Sequence, residues 1–451
     1  MNIHFIAIGG NVMHNLAIAL HKKGFNITGS DDEFFDPSKG RLESYGLLPE
    51  KNGWDPQRIT KDLDGVILGM HARIDNPELQ KAQELGIPIY SFPEYIYEQS
   101  KDKKRVVIAG SHGKTSVTAM VMHVLKGMEM DFDYMVGAQL DGFETMVKLT
   151  DAPVIILEGD EYLSSPLDRK PKFLHYKAHI AVLNGIAWDH INVFPTYKEY
   201  FNQFELFLQS MEEEGCCFYY EGDPENVRLA QKHRGNVALK SFELPNHKVE
   251  NGVTTIFNKD KEVAIKVFGK HNLQNLSAAQ SICEALGISI DDFLNSISSF
   301  SGAAKRLEVL VNGKDRGFFK DYAHSPSKLE ATVKAVKNQF PSRKLFACME
   351  LHTFSSLNKE FLSQYAGSMA DADVPVVFYN AHTLAHKKMP PLSPILVKEA
   401  FERDDILVID SEKALNEYVF SQNYANSNLL LMSSGNFGGL DLKTLAETVQ
   451  K

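Results

Sequence analysis

The sequence predicts an α/β protein of three domains, and three observations carry that reading. Short, almost continuously apolar runs recur at 65–68, 154–157, 180–183 and 428–432, as strands buried on both faces of a parallel sheet do. Between them stand amphipathic helical patterns, for example at 13–23 and 117–125, which supply the crossovers that parallel strands need. The length, 451 residues, exceeds what a single core fills. The expected boundaries are 1–104, 105–300 and 301–451.

Composition narrows the class. Lys and Arg number 48 against 58 Asp and Glu, a formal charge of −10, which argues against a nucleic-acid surface. Positive charge must then be concentrated wherever a polyanion binds. Four cysteines (Cys216, Cys217, Cys283, Cys348) form no metal-binding spacing and no disulfide framework, so a reducing compartment is expected. The apolar start reads as a strand and a helix rather than a leader, and no run approaches membrane-spanning length. A soluble, cytoplasmic protein without membrane insertion is expected.

Taken in order, the chain opens with a strand over 3–8, the turn Gly9-Gly10, a helix over 13–23 and a strand over 25–31. Strands at 65–68 and 88–91 complete the first domain, and the charged run Lys101-Asp102-Lys103-Lys104-Arg105 reads as a linker. The apolar run 105–108 then feeds Gly110-Ser111-His112-Gly113-Lys114-Thr115-Ser116 and a helix. A glycine-turned loop ending in Lys-Thr at a strand-to-helix junction cradles phosphates with converging backbone amides and the helix dipole. Lys114 would reach the β- and γ-phosphates and the Thr115 hydroxyl would ligate Mg²⁺. The usual pattern places glycine five residues before Gly113; here Ile108 stands there, so the loop is a compressed form.

The strand at 154–157 delivers Glu158-Gly159-Asp160-Glu161 at its carboxyl end, where a carboxylate completes a Mg²⁺ shell; Glu158 is the first choice. The strand at 180–183 ends in Asn184-Gly185-Ile186-Ala187-Trp188-Asp189-His190. After an expected hairpin at 252–257 and 263–268, Gly269-Lys270-His271-Asn272-Leu273-Gln274-Asn275 enters a helix. There Asn272 and Asn275 can share a face, and the segment taken bare is an N-capped helix. Strands at 344–348, 374–378, 406–409 and 428–432 build the last domain.

The loop Gly110-Ser111-His112-Gly113-Lys114-Thr115 resembles the Gly-Thr-x-Gly-Lys-Thr loop of the Mur ligase family, ATP-dependent amide-forming enzymes of cell-wall synthesis. Glu158-Gly159-Asp160-Glu161 resembles its Glu-Ala-Asp-Glu segment, and Asn184 to His190 its Asn-x-x-x-x-Asp-His motif. Gly269 to Ala279 matches Gly-x-His-Asn-x-x-Asn-x-x-Ala-Ala. Phe300-Ser301-Gly302-Ala303-Ala304-Lys305-Arg306 matches Phe-x-Gly-x-x-x-Arg, and Asp321-Tyr322-Ala323-His324-Ser325-Pro326 matches Asp-Tyr-Ala-His-x-Pro.

The resemblance implies a Rossmann-like UDP-binding domain, a central P-loop ATPase domain and a C-terminal Rossmann-like domain. It implies ATP as co-substrate and two Mg²⁺ ions held through Thr115, Glu158 and His190. It assigns ATP binding to Gly110, Ser111, His112, Gly113, Lys114, Thr115, Ser116, His271, Asn272, Asn275, Arg306 and Asp321. Asn272 and Asn275 would meet the adenine, Asp321 the ribose and Arg306 the γ-phosphate. A UDP-sugar would lie on Gly9, Gly10, Asn11, Val12 and Met13, flanked by Ser30, Asp31 and His71. Lys114, His190, Arg306 and His324 form the catalytic set, with His324 the candidate base. Asn192 stands where the family often has Asp, and no carbamylated lysine is identified.

Lys172-Phe173-Leu174-His175-Tyr176 and Met432 to Gly439 resemble the branch that joins UDP-N-acetylmuramate to the murein tripeptide L-alanyl-γ-D-glutamyl-meso-diaminopimelate. The alternative acceptor is L-alanine alone. Arg343, His352, Lys387 and the loop 433–439 are candidates for the peptide carboxylates. A monomer or homodimer is expected. From another class, the alternative is a phosphate-loop regulatory protein that forms no bond.

Overall fold

The computed structural model describes residues 1–190, 193–303, 306–387 and 389–450, and not the side chains at 382 and 386. Asn192, and Ala304 and Lys305 of the arginine motif, lie outside the described residues. Two compact units emerge. One comprises Met1–Glu243 with Gln274–Ile297, the other Leu244–Leu273 with Ser298–Lys451.

The first unit holds two sheets. Strands β1 (Asn2–Ile6), β2 (Asn26–Ser30), β3 (Gly65–Leu68) and β4 (Ile89–Ser91) pair in parallel in the order β2-β1-β3-β4. Parallel pairing puts every carboxyl end on one edge, so the Gly9-Gly10 turn, Asp31 and the loop bearing His71 follow three neighbouring strands. β1 stops at Ile6 although the apolar run continues to Ile8. Ala7 has a φ of 67°, and the Ala7 and Ile8 amides both donate to Ser30 O, at 2.9 and 3.1 Å. That turn ends the ladder and aims Gly10 at the helix Asn11–Lys22.

The second sheet contains β5 (Lys104–Ala109), β6 (Asp133–Met135), β7 (Val147–Lys148), β8 (Val154–Glu158), β9 (Ile180–Leu183), β10 (Cys216–Tyr220) and β11 (Ala238–Phe242), ordered β11-β10-β9-β5-β8-β6-β7. Only β6 and β7 pair antiparallel. Apart from Lys104, Arg105 and Glu158 at strand ends, the central trio β9-β5-β8 is built of Val, Ile, Leu and Ala, and its apolar side chains are almost wholly buried.

The run 101–105 is not solvated as its charge suggests: Lys103 and Arg105 are buried. Lys104 and Arg105 already belong to β5. Arg105 is 2% exposed, donating Nε to Tyr176 O at 2.9 Å and Nη1 to Lys101 O at 2.8 Å, and pairing with Glu212 at 2.5 Å. Lys103 Nζ donates to Thr150 O and Ala152 O and pairs with Asp133 at 3.0 Å. Charge in a sequence run signals solvent only where no buried carbonyls and carboxylates await it.

In the second unit β12 (His247–Glu250), β13 (Val253–Asn258) and β14 (Lys261–Ile265) form an antiparallel sheet. The expected hairpin is its second half. Gln339 ties it to the helix Pro326–Gln339, accepting from Thr254 Oγ1 at 3.1 Å and donating to Gly252 O at 2.7 Å. A six-stranded sheet contains β15 (Glu308–Asn312), β16 (Gly317–Asp321), β17 (Lys344–Glu350), β18 (Val374–Phe378), β19 (Leu407–Ile409) and β20 (Ser427–Met432). Their order is β15-β16-β20-β17-β18-β19, parallel except for the β15–β16 hairpin. That hairpin is absent from the sequence reading: β15 is mixed in polarity and its register slips between Val309 and Val311. The fold class is α/β as expected. Among the described residues no helix is long and apolar enough to cross a membrane.

Candidate active site

Three adjacent strand tips build the site in the first unit: the phosphate loop after β5, the acidic segment after β8, and 184–190 after β9. The loop needs its glycines. Gly110 has a φ of 117° and Gly113 of 75°; a Cβ on Gly113 would lie 2.2 Å from both Asn184 Nδ2 and Asn275 Oδ1. Asn184 Nδ2 donates to Asn275 Oδ1 at 2.6 Å and to His112 O at 3.3 Å, so two amide side chains lie across the turn. Ser111 N donates to Gly185 O at 2.8 Å, and Ser111 Oγ accepts from Ala187 N at 2.9 Å. The helix Lys114–Gly127 starts at the last loop residue, with Thr115 and Ser116 in its first turn.

Charge is interlocked on that frame. Lys114 Nζ donates to Gly110 O at 2.8 Å and to Glu161 Oε2 at 2.7 Å. Burial opposes its ammonium, but Glu161 and Asp160 outweigh that and hold its pKa above the ordinary lysine range. Burial likewise opposes the Glu161 carboxylate, and Lys114 with His190 reverses this, holding its pKa well below the usual range. His190 Nε2 lies 3.5 Å from Glu161 Oε1; burial lowers its pKa, yet the carboxylates bring the net shift upward. Tyr200 OH donates to Glu161 Oε1 at 3.0 Å and lies 2.6 Å from Ser111 Oγ.

Two donor sets result. Thr115 Oγ1 donates to Glu158 Oε1 at 2.9 Å while Gly137 N holds Glu158 Oε2 at 2.8 Å; burial pushes this carboxyl up. Ligand atoms of Asp160, Glu161 and His190 lie within 4.8 Å of one another. The structure thus brings His190 to Asp160 and Glu161, and Thr115 to Glu158. Four of the five side chains offer hard carboxylate or hydroxyl oxygens, which suit Mg²⁺, and His190 adds the one nitrogen donor. Sequence reasoning took the acidic segment as a Mg²⁺ candidate but put Glu158 ahead of Asp160 and Glu161. It missed Tyr200 altogether, because nothing local marks a tyrosine 39 residues from the acid it meets.

In the first sheet, Gly9 N donates to Asp31 Oδ2 at 2.7 Å. Burial, then neighbouring Asp32, raises the Asp31 carboxyl to about 6. Gly10 caps the helix, Asn11 is exposed, Val12 half-buried and Met13 buried; His71 is exposed. Ser30 is fully buried, its hydroxyl donating to Glu78 Oε1 and accepting from Arg58 Nη1, each at 2.6 Å. It braces the turn from beneath.

The second unit carries the other candidates. Burial pushes His271 down to about 4, and Asn272 Nδ2 donates to Phe268 O at 3.0 Å. Arg306 stacks on Tyr322, 4.7 Å from the ring centre. Asp321 accepts from Leu307 N at 2.5 Å and Ala323 N at 2.6 Å, and burial raises its carboxyl. His324 Nδ1 lies 2.8 Å from Tyr322 O. Arg343 precedes β17, at the amino edge of the sheet, donating to Asn428 Oδ1 at 3.2 Å and Gly313 O at 3.1 Å. A ligand at the carboxyl edge is out of its reach, so it is a structural residue. His352, 3.7 Å from Glu350, follows β17 at the carboxyl edge. So does the 433–439 loop after β20, where Phe437 N donates to Glu350 Oε2 at 2.9 Å. Lys387 stacks on Phe354 at 4.3 Å.

A glycine-turned phosphate loop flanked by two acidic strand tips defines a nucleotide-binding α/β enzyme of the phosphate-loop class. Residues 2–104 match the Mur ligase family, catalytic domain, and residues 108–283 the Mur ligase middle domain. A UDP-N-acetylmuramate–L-alanine ligase of Clostridium kluyveri is 30% identical over 378 residues, covering 80% of this chain and 80% of that protein. A UDP-N-acetylmuramate–L-alanyl-γ-D-glutamyl-meso-2,6-diaminoheptandioate ligase of Haemophilus influenzae is 24% identical over 454 residues, 98% of each chain. The crystal structure of a murein peptide ligase from Psychrobacter arcticus shares the fold, with a TM-score of 0.66 at 21% identity over 100% of this chain and 99% of its own. The chain belongs to the Mur ligase family, whose members are ATP- and Mg²⁺-dependent amide-forming ligases.

Proposed function

We propose that the chain joins UDP-N-acetylmuramate to the tripeptide L-alanyl-γ-D-glutamyl-meso-diaminopimelate with hydrolysis of ATP to ADP and phosphate. The observation that carries the ligase reading is the Lys114–Glu161–His190 cluster, built on the buried Glu161, beside the Thr115–Glu158 pair. The tripeptide reading is favoured by the Haemophilus influenzae relative, which aligns over 98% of both chains, and by the 172–176 and 432–439 segments. The identity to the Clostridium kluyveri relative favours L-alanine as the second reading.

A carboxylate resists amines because its carbon is electron-rich and its leaving group poor. The lactyl carboxylate attacks the γ-phosphorus of ATP, giving an acyl phosphate and ADP; the peptide amine then attacks the acyl carbon and phosphate leaves. Lys114, bound to the loop carbonyl of Gly110, sets a fixed cation where phosphoryl charge moves. In this reading Thr115 with Glu158, and Asp160 and Glu161 with His190, would hold two Mg²⁺ ions. When bound, the ions would neutralise charge on the phosphate oxygens. The family resemblance assigns Asn272 and Asn275 to the adenine, Asp321 to the ribose, Arg306 to the γ-phosphate and His271 to ATP binding. His324 is the candidate base. The Gly9-Gly10 turn with Asn11, Asp31 and His71 takes the UDP-sugar. The functional domains run 1–104, 105–300 and 301–451, with the enzyme in the cytoplasm.

Phosphate release is the test, with UDP-N-acetylmuramate and either the tripeptide or L-alanine. Turnover dependent on both sugar and tripeptide is expected. Faster turnover with L-alanine overturns the acceptor, and phosphate release indifferent to sugar and amine overturns the ligase reading.

A further inference from the structure

A second group of potential ligands lies in the first unit, away from the phosphate loop. Glu94 sits in the first turn of the helix Phe92–Glu98, Asp168 at the tip of the excursion that follows Glu161, and His175 at its close. A ligand atom from each lies within 4.8 Å of the other two. The excursion itself is pinned: Phe173 N donates to Asp160 O at 3.1 Å, Lys172 N to Tyr162 O at 2.9 Å and Ser164 N to Lys170 O at 3.0 Å.

Two features separate this trio from an ordinary ion pair. His175 Nε2 and Asp168 Oδ2 are 2.7 Å apart and both shielded from solvent, yet they are out of line for a hydrogen bond, so neither atom has a hydrogen-bond partner. Buried polar atoms in that state are costly unless something else satisfies them. The carboxylates are also pre-oriented. Glu94 Oε2 accepts from Ser91 N at 2.7 Å and Ser91 Oγ at 2.8 Å, and Asp168 Oδ1 accepts from Lys170 N at 3.0 Å. Each thereby keeps one oxygen for the shared centre, as outer-shell bonds do at metal sites.

We propose that Glu94, Asp168 and His175 bind a first-row divalent cation, Zn²⁺ by donor type. Zn²⁺ takes one imidazole and two carboxylates readily. The Asp160–Glu161–His190 set has the same donor types but follows the strand next to the phosphate loop, where substrate phosphates would add the hard oxygens that Mg²⁺ favours, whereas this trio has no phosphate loop beside it. The ion clamps the helix Phe92–Glu98 of the first sheet to the far end of the segment that carries Asp160 and Glu161. It is distinct from the donor sets beside the phosphate loop.

The test uses full-length protein stripped of metal and titrated with Co²⁺ in excess Mg²⁺, in a His190→Asn background so that the other cluster offers no imidazole. The expected result is one equivalent of Co²⁺ with visible d–d absorption, displaced by Zn²⁺, and its loss when His175→Asn is added. Absence of that equivalent, or its persistence with His175→Asn, overturns the proposal. Should His175→Asn unfold by circular dichroism, Glu94→Gln decides. It keeps a cap acceptor and should weaken Co²⁺ binding by about tenfold or more; unchanged affinity overturns the site. None of these outcomes depends on which amine the enzyme joins.

Discussion

The first unit contains two strand–glycine–helix junctions of the same topology and opposite chemistry. After β5 the turn ends in Lys114, and the carboxylates nearby are matched by an ammonium, an imidazole and two hydroxyls. After β1 the turn has no lysine, and the Gly9 amide is met by Asp31, a carboxylate whose burial makes it a reluctant anion. Both glycines face a polar side chain at short range, Asn184 and Asn275 over Gly113 and Asp31 over Gly9. The same backbone device, amides at a helix start, is thus set among compensating charges in one place and against a lone carboxylate in the other; in the proposed reading the first serves phosphoryl transfer and the second only binding. What differs is the neighbouring strand tip, acidic and metal-competent after β8, acidic and self-occupied after β2.

The largest effect should come from removing the cation. Lys114→Met is expected to cut turnover about 10³-fold and to lower thermal stability, since Glu161 loses its principal partner. Steady-state phosphate release with a melting curve checks both; retained activity breaks the contrast between the two turns. Gly113→Ala should abolish nucleotide affinity by calorimetry while UDP-sugar affinity persists. Gly9→Ala, whose Cβ would lie 2.9 Å from Asp31 Oδ2, should do the reverse.

Asp31 gives a pH signature. Its folded pKa, about 6, is raised from 3.8, so the native chain holds the proton more tightly than the unfolded one. Its contribution to stability relative to Asn falls as pH rises from about 4 to about 6, by roughly 2 kcal/mol, and stays low above. Melts of wild type and Asp31→Asn across that window should diverge; a pH-independent difference would show that Asp31 is not held in this way. Tyr200→Phe removes one hydroxyl from the Ser111–Glu161 bridge and should cost about 1 kcal/mol, read as a several-fold fall in kcat with folding intact. Lys22→Ala, at the exposed Lys22–Glu144 pair, should change stability by no more than about 0.5 kcal/mol.

Legibility followed locality. The phosphate loop and the two acidic or histidine-bearing strand ends were readable because each is a short segment whose chemistry is complete in sequence. Glu161 as the partner of Lys114 was not, because 47 residues separate them and three acids compete at that strand end. Lys103 and Arg105 look like a solvated linker, since a string of charges says nothing about the carbonyls of Thr150, Ala152 and Tyr176 that fold over it. Arg343 looks like a carboxylate receptor until strand direction sends it to the amino edge. The β15–β16 hairpin escaped because its alternation is weak and broken by a slipped register.

Residue order alone determined the α/β class, the phosphate loop and the family, since periodicity and short motifs are properties of neighbours along the chain. Tertiary structure decided which acid faces Lys114, which donors share a centre with His190, and which charges are buried as struts. Those are set by the order of parallel strands in a sheet, where adjacency in space is independent of distance in sequence.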